Sequence, residues 1–142
     1  MKKEIVCNCV EDTEKTGFET ARFVSENSIT FVALYGGLGA GKTAFVRGFT
    51  SFHDKNAVVM SPTYNLVNVY GNIYHFDMYR ITNEDDLYSI GFFDYDDGKN
   101  IILTEWSENI EYALPDIYLK VVINKSDDCA DKRVIILETV GF

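Results

Sequence analysis

The stretch that most constrains this chain is "ITFVALYGGLGAGKTAFVRGF", residues 29–49. Its first part is a continuous apolar run closed by glycine, which predicts a strand buried on both faces of a parallel sheet. From Lys42 onward the pattern becomes helical, with Phe45, Phe49 and Phe52 at i, i+4 and i+7. Between the two elements lies Gly36-x-x-x-x-Gly41-Lys42-Thr43, the spacing of a phosphate-binding loop in the strand–loop–helix context that such a loop requires. Glycines let the backbone turn its N–H groups towards phosphate oxygens, and the start of the helix adds its positive end. The expected nucleotide-binding segment is therefore Gly36, Gly37, Leu38, Gly39, Ala40, Gly41, Lys42, Thr43 and Ala44. Lys42 is expected to reach the β- and γ-phosphates, and the Thr43 hydroxyl to take one place in a magnesium shell.

The remaining elements fit around this unit. A short strand is expected at "EIVCNC", then a helix from Thr13 to Glu26 with Asp12 or Thr13 as its cap. "SPTYNLVNVYGNIYHFDMYRI" carries two β-rich runs around Gly71-Asn72, the pattern of a hairpin. "TNEDDLYSIG" predicts a short helix, acidic in its first turn and stopped by Gly91. "NIILTEW" is a further strand, and "IYLKVVI" and "RVIILETV" are two more, joined by the polar "NKSDDCADK". The expected class is α/β, a single phosphate-loop NTPase-like domain over residues 1–142 with a mixed β-sheet flanked by helices.

Hydrolysis of a bound nucleotide needs a carboxylate near the metal or the attacking water, and open α/β sheets gather such groups at strand ends. Asp77 in "YHFDMYR" and Glu105 in "IILTEW" occupy that position, followed in the second case by Trp106. Pro62 pushes Ser61 towards extended geometry, so Thr63 in "SPTYNLV" is a candidate switch residue that senses the γ-phosphate. His53 and His75 have no metal-spaced companion and are assigned structural roles. Asn124-Lys125-x-Asp127 mimics the guanine-reading motif of GTPases, but no Asp-x-x-Gly sequence accompanies it. A polar turn between strands is the simpler reading.

Charge and composition narrow the function further. The net charge of −9 and the lack of clustered Lys and Arg argue against direct nucleic-acid binding, so any tRNA contact is expected only through partners. Cys7, Cys9 and Cys129 complete no zinc site and are expected to be reduced thiols. No apolar run is long enough to cross a membrane, and the first residues lack a signal-peptide core, so a cytoplasmic protein is expected.

"LYGGLGAGKTAFVRGF", "SPTYNLVNVY", "YHFDMYRI" and "LTEW" resemble, in sequence and order, the TsaE (YjeE) family of small ATPases. The resemblance implies a Mg2+-dependent ATPase, weak alone and activated by the TsaB–TsaD pair. It would act in the threonylcarbamoyl modification of adenosine-37 in tRNA. It further implies that Lys42 binds phosphates of ATP or ADP, that Thr43 and Glu105 hold magnesium, and that Asp77 supports the metal or water. Trp106 would matter for activity. Thr13, matched to a threonine opening the first helix, and Arg133, matched to a basic residue of the last strand, would lie near the adenine. Gly37 stands where the family commonly has an acidic residue. A small-molecule kinase and a nucleotide-gated binding module are the competing readings; a kinase would be expected to bring a lid of clustered arginines, which the sequence lacks.

Overall fold

The structure, a computed structural model, describes residues 1–37, 39–59 and 67–142. Leu38, Ser61, Pro62 and Thr63, and with them the expected switch, lie outside the described residues. The strands are β1 (Lys2–Cys7), β2 (Phe31–Tyr35), β3 (Val67–Tyr70), β4 (Ile73–Asp77), β5 (Ile101–Glu105), β6 (Tyr118–Lys125) and β7 (Arg133–Val140). The helices are α1 (Val10–Glu26), α2 (Lys42–His53) and α3 (Glu84–Ser89), with short 3-10 helices at Phe92–Tyr95, Ser107–Asn109 and Glu111–Ala113.

One seven-stranded sheet runs in the order β1-β7-β6-β2-β5-β4-β3. Strand β2 lies parallel to both β5 and β6, and β4 parallel to β5, so these four form a parallel centre. All five residues of β2 are buried, as its unbroken apolar run requires. Antiparallel pairs close both margins: β3 with β4 through the turn at Gly71-Asn72, and β7 with β6 and β1. The "NKSDDCADK" segment joins β6 to β7, with Lys125 opposite Arg133 in the register.

Alternation along the strands divides the core into two layers. Val32, Leu34, Leu103, Val121 and Ile123 face α1 and α2, where they meet Ala21, Val24, Phe45, Val46 and Phe49. Phe31, Ala33, Phe76 and Ile102 face the other side, against Met78, Leu87, Phe92 and Ile110. Of the three phenylalanines expected on α2, Phe45 and Phe49 are fully buried. Phe52 packs edge-on against Phe18 of α1, ring centres 5.4 Å apart.

Helices α1 and α2 touch backbone to backbone at two glycines. A methyl group on Gly48 would collide with the Glu14 carbonyl, and one on Gly17 with the Phe45 carbonyl. The packing therefore demands hydrogen at both positions. Helix α1 also corrects the expected start at Thr13. It begins at Val10 with Cys9 as the flanking extended residue, and Asp12 accepts a hydrogen bond from the Asn8 N–H at 3.0 Å. Asp12 thus reaches back from inside the first turn, where a carboxylate also complements the helix dipole, instead of standing ahead of the helix as its cap. Thr13 consequently lies within the helix and is buried. Helix α3 behaves as expected: the Asn83 side chain accepts from the Asp86 N–H, and Gly91 follows with φ +69°.

Candidate active site

The parallel strands deliver their C-terminal ends to one edge of the sheet, where the loop after β2 leads into α2. Gly41 immediately precedes the helix with φ +102°, a left-handed backbone that side-chain-bearing residues rarely adopt. Lys42 follows and is almost wholly buried. Its Nζ donates to the Gly36 carbonyl at 2.7 Å, closing the loop across its own base. The same ammonium lies 3.8 Å from the centre of the Trp106 ring, a cation–π contact.

Burial lowers the Lys42 pKa, while Glu105, Glu108 and Asp77 oppose that shift by favouring the ammonium. Three carboxylates therefore surround one lysine. Two of them, Asp77 and Glu105, are direct register partners at the ends of β4 and β5. Burial raises the Asp77 pKa, the Tyr79 N–H bonded at 2.9 Å offsets it, the neighbouring Glu105 raises it further, and Lys42 and His75 lower it. Glu105 is 4% exposed and bonds through Oε2 to Nε2 of His75, which is completely buried. Trp106 turns the chain out of β5 in a left-handed conformation, φ +58°, and its ring packs against Tyr79 at 5.0 Å. Asn109 fixes this corner by donating to the Met78 and Tyr79 carbonyls at 3.0 and 3.3 Å.

Arg133 approaches from β7. Its Nε donates to the Ala40 carbonyl at 2.9 Å and one terminal nitrogen to the Gly39 carbonyl at 3.3 Å. The other terminal nitrogen bonds the Ala130 and Lys132 carbonyls at 2.6 and 3.0 Å. The guanidinium thus straps the loop before α2 to the β6–β7 turn. Lys125, from the "NKSD" stretch, also lies beside the loop: a methyl group built on Gly39 would stand 2.9 Å from its Nζ.

Thr43 at the start of α2 offers a hydroxyl and the paired Asp77 and Glu105 offer carboxylates, hard oxygen donors of the kind that suits Mg2+ held jointly by protein and phosphate oxygens. Among the described residues no three His, Cys, Asp or Glu side chains form a preformed metal cage.

The sequence agrees with this geometry over nearly its whole length. The family model described as "Threonylcarbamoyl adenosine biosynthesis protein TsaE" matches residues 7–135. The chain belongs to the TsaE family. It is 38% identical over 135 residues to the tRNA threonylcarbamoyladenosine biosynthesis protein TsaE of Rickettsia typhi, covering 89% of this chain and 92% of that protein. With the TsaE protein of Bacillus subtilis it shares 35% identity, over 92% of this chain and 82% of the relative. The crystal structure of YdiB from Bacillus subtilis superposes with a TM-score of 0.74 at 28% identity, covering 99% of this chain and 87% of that one.

In this TsaE-family chain, the residues expected at the site divide into two groups. Gly36, Gly37, Gly39, Ala40, Gly41, Lys42, Thr43 and Ala44 make up the loop and first helical turn, with Asp77, Glu105, Trp106 and Arg133 gathered around them. Thr13 lies on another element, buried within α1, whose first residue is Val10. Two neighbours of the site carry no local sequence signal. Glu108 faces Lys42, and burial raises its pKa while the Gly36 N–H and Lys42 pull it down. His75 meets Glu105 across the sheet.

Proposed function

We propose that this chain is the ATP-binding and ATP-hydrolysing component of the machinery that makes N6-threonylcarbamoyladenosine at position 37 of tRNA, driving or resetting a TsaB–TsaD-type complex. One observation carries the reading: the loop lysine and the register-paired carboxylates Asp77 and Glu105 converge at the C-terminal edge of the parallel strands. The family and the relatives named above supply the pathway.

On this reading Lys42 exchanges the Gly36 carbonyl for β- and γ-phosphate oxygens, and backbone N–H groups of the loop hold the rest of the chain of phosphates. Thr43 and Glu105 would hold Mg2+, with Asp77 supporting the metal or orienting the water. When bound, the ion neutralises charge on the phosphates. Arg133 keeps the loop in shape through the Gly39 and Ala40 carbonyls.

The kinase alternative lacks its arginine lid. Of the four arginines in the sequence, Arg22 pairs with Glu19, Arg47 with Glu14 and Arg133 with loop carbonyls, and Arg80 stands exposed on the turn after β4, so they form no cluster. No described helix is long and apolar enough to cross a membrane, and the acidic surface fits a role in which tRNA is met only through partner proteins.

Reconstituted tRNA modification tests the proposal. ATP turnover should be slow for the chain alone and rise with a TsaB–TsaD pair, and multiple rounds of modification should require an intact Lys42. Partners that cycle equally well with the Lys42→Ala form would overturn it. Calorimetry should show ATP binding nearly abolished in Lys42→Ala, and chiefly the magnesium dependence weakened in Thr43→Ala.

A further inference from the structure

His75 is fully buried, and the proposed chemistry does not use it. It lies on β4 two residues before Asp77, and its register partner on β5 is Leu103, two residues before Glu105. The strand period of two therefore puts His75, Asp77 and Glu105 on the same face of the sheet. Nε2 of His75 contacts Oε2 of Glu105 directly. With Glu105 ionised, as a magnesium ligand must be, Nε2 would donate in this contact. Nδ1 has no partner among the described residues, where a lone pair is less costly to leave unpaired than an N–H. The Tyr70 ring packs against the imidazole at 5.9 Å between centres and fixes its plane.

With Oε2 engaged by His75, Oε1 is the oxygen of Glu105 left free of that contact. We infer that His75 is a positioning residue that holds the Glu105 carboxylate in the orientation needed to bind Mg2+ through Oε1. This inference rests on the proposed metal role of Glu105. Outer partners of this kind commonly contribute roughly 10- to 100-fold to metal affinity by fixing ligand orientation.

The test uses the full-length chain with ADP, Mg2+ and the variants His75→Gln, His75→Asn and Glu105→Gln. A glutamine amide reaches about as far as Nε2, whereas an asparagine amide reaches only about as far as Nδ1. The magnesium midpoint for enhancement of ADP binding should rise about tenfold or more in His75→Asn and return towards wild type in His75→Gln. ADP affinity in chelator should be unchanged in both. An unshifted midpoint in His75→Asn, together with a shifted one in Glu105→Gln, overturns the role of His75 alone. An unshifted midpoint in Glu105→Gln overturns the metal reading of Glu105 and this inference with it.

A readout on the wild-type protein covers the case in which a variant does not fold. The chain has two histidines, so nitrogen-labelled histidine gives two sets of imidazole signals. Adding Mg2+ to the ADP complex should shift the Nε2–H signal of His75 and leave that of His53, at the far end of α2, in place. A His75 signal indifferent to Mg2+ overturns the inference.

Discussion

The ammonium of Lys42 stands 3.8 Å from the centre of the Trp106 ring and donates at the same time to the Gly36 carbonyl. A phosphate held by Lys42 competes with the indole for that charge. Trp106 is the only tryptophan of the chain, so its fluorescence isolates the event. Titration with Mg-ATP should change the emission saturably in the wild type and leave Lys42→Ala flat. The contact is worth about 0.5–2 kcal/mol, so Trp106→Ala should alter nucleotide affinity by no more than roughly thirtyfold.

Arg133 spans carbonyls that a lysine cannot bridge together, since its fork reaches Gly39, Ala40, Ala130 and Lys132 at once. Arg133→Lys should weaken ADP binding by about tenfold through a loosened loop, which corresponds to about 1.4 kcal/mol. If the residue acts by shaping the loop, the ratio of ADP to GDP affinity should not move. Calorimetry with both nucleotides checks this, and a collapsed ratio would assign Arg133 to the base.

Gly48→Ala has opposite expectations from helix propensity and from packing. Propensity alone favours alanine by about 1 kcal/mol. The methyl group, however, would meet the Glu14 carbonyl of α1, and the two helices would have to separate. The variant should lose about 1–3 kcal/mol in denaturant unfolding. A gain in stability would show that the helices do not approach this closely.

Glu108 carries a pKa raised above the ordinary glutamate value of 4.5, chiefly by burial. The folded state therefore retains a proton that the unfolded chain releases, and the contribution of this group to stability falls as pH rises through the folded pKa. Below pH 4.5 both states are protonated and the penalty disappears. Glu108→Gln should therefore stabilise the nucleotide-free protein more at pH 7 than at pH 4. Because the residue remains solvent-exposed on one side, the difference should stay under about 1 kcal/mol. Thermal melts of both proteins at the two pH values measure it.

What the sequence made legible is what contiguous residues encode. The β2 run, the glycine spacing and the helical phenylalanines lie within one stretch, and all appear where periodicity puts them. Asp77 and Glu105 were visible because strand ends are marked by where the apolar pattern stops. The α1 start was misjudged because an acidic residue near a helix N-terminus has two ways to satisfy it, from outside as a cap or from the first turn reaching back. The contacts of His75 with Glu105 and Arg133 with Ala40 join residues 30 and 93 positions apart. Such pairs depend on strand order, which no local spacing records.

The two flanks of the site are built differently. On one, α1 and α2, of 17 and 12 residues, meet at glycine contacts that leave no room for a methyl group. On the other, the corner at Met78–Tyr79 and Trp106–Asn109 turns on a three-residue 3-10 helix held by the Asn109 bonds to the Met78 and Tyr79 carbonyls and by the Met78 N–H on the Glu105 carbonyl, with Trp106 in a conformation that costs about 1–2 kcal/mol. The Lys42 ammonium, the Trp106 ring and the exposed Tyr79 side chain thus form one continuous row from the buried loop to the surface.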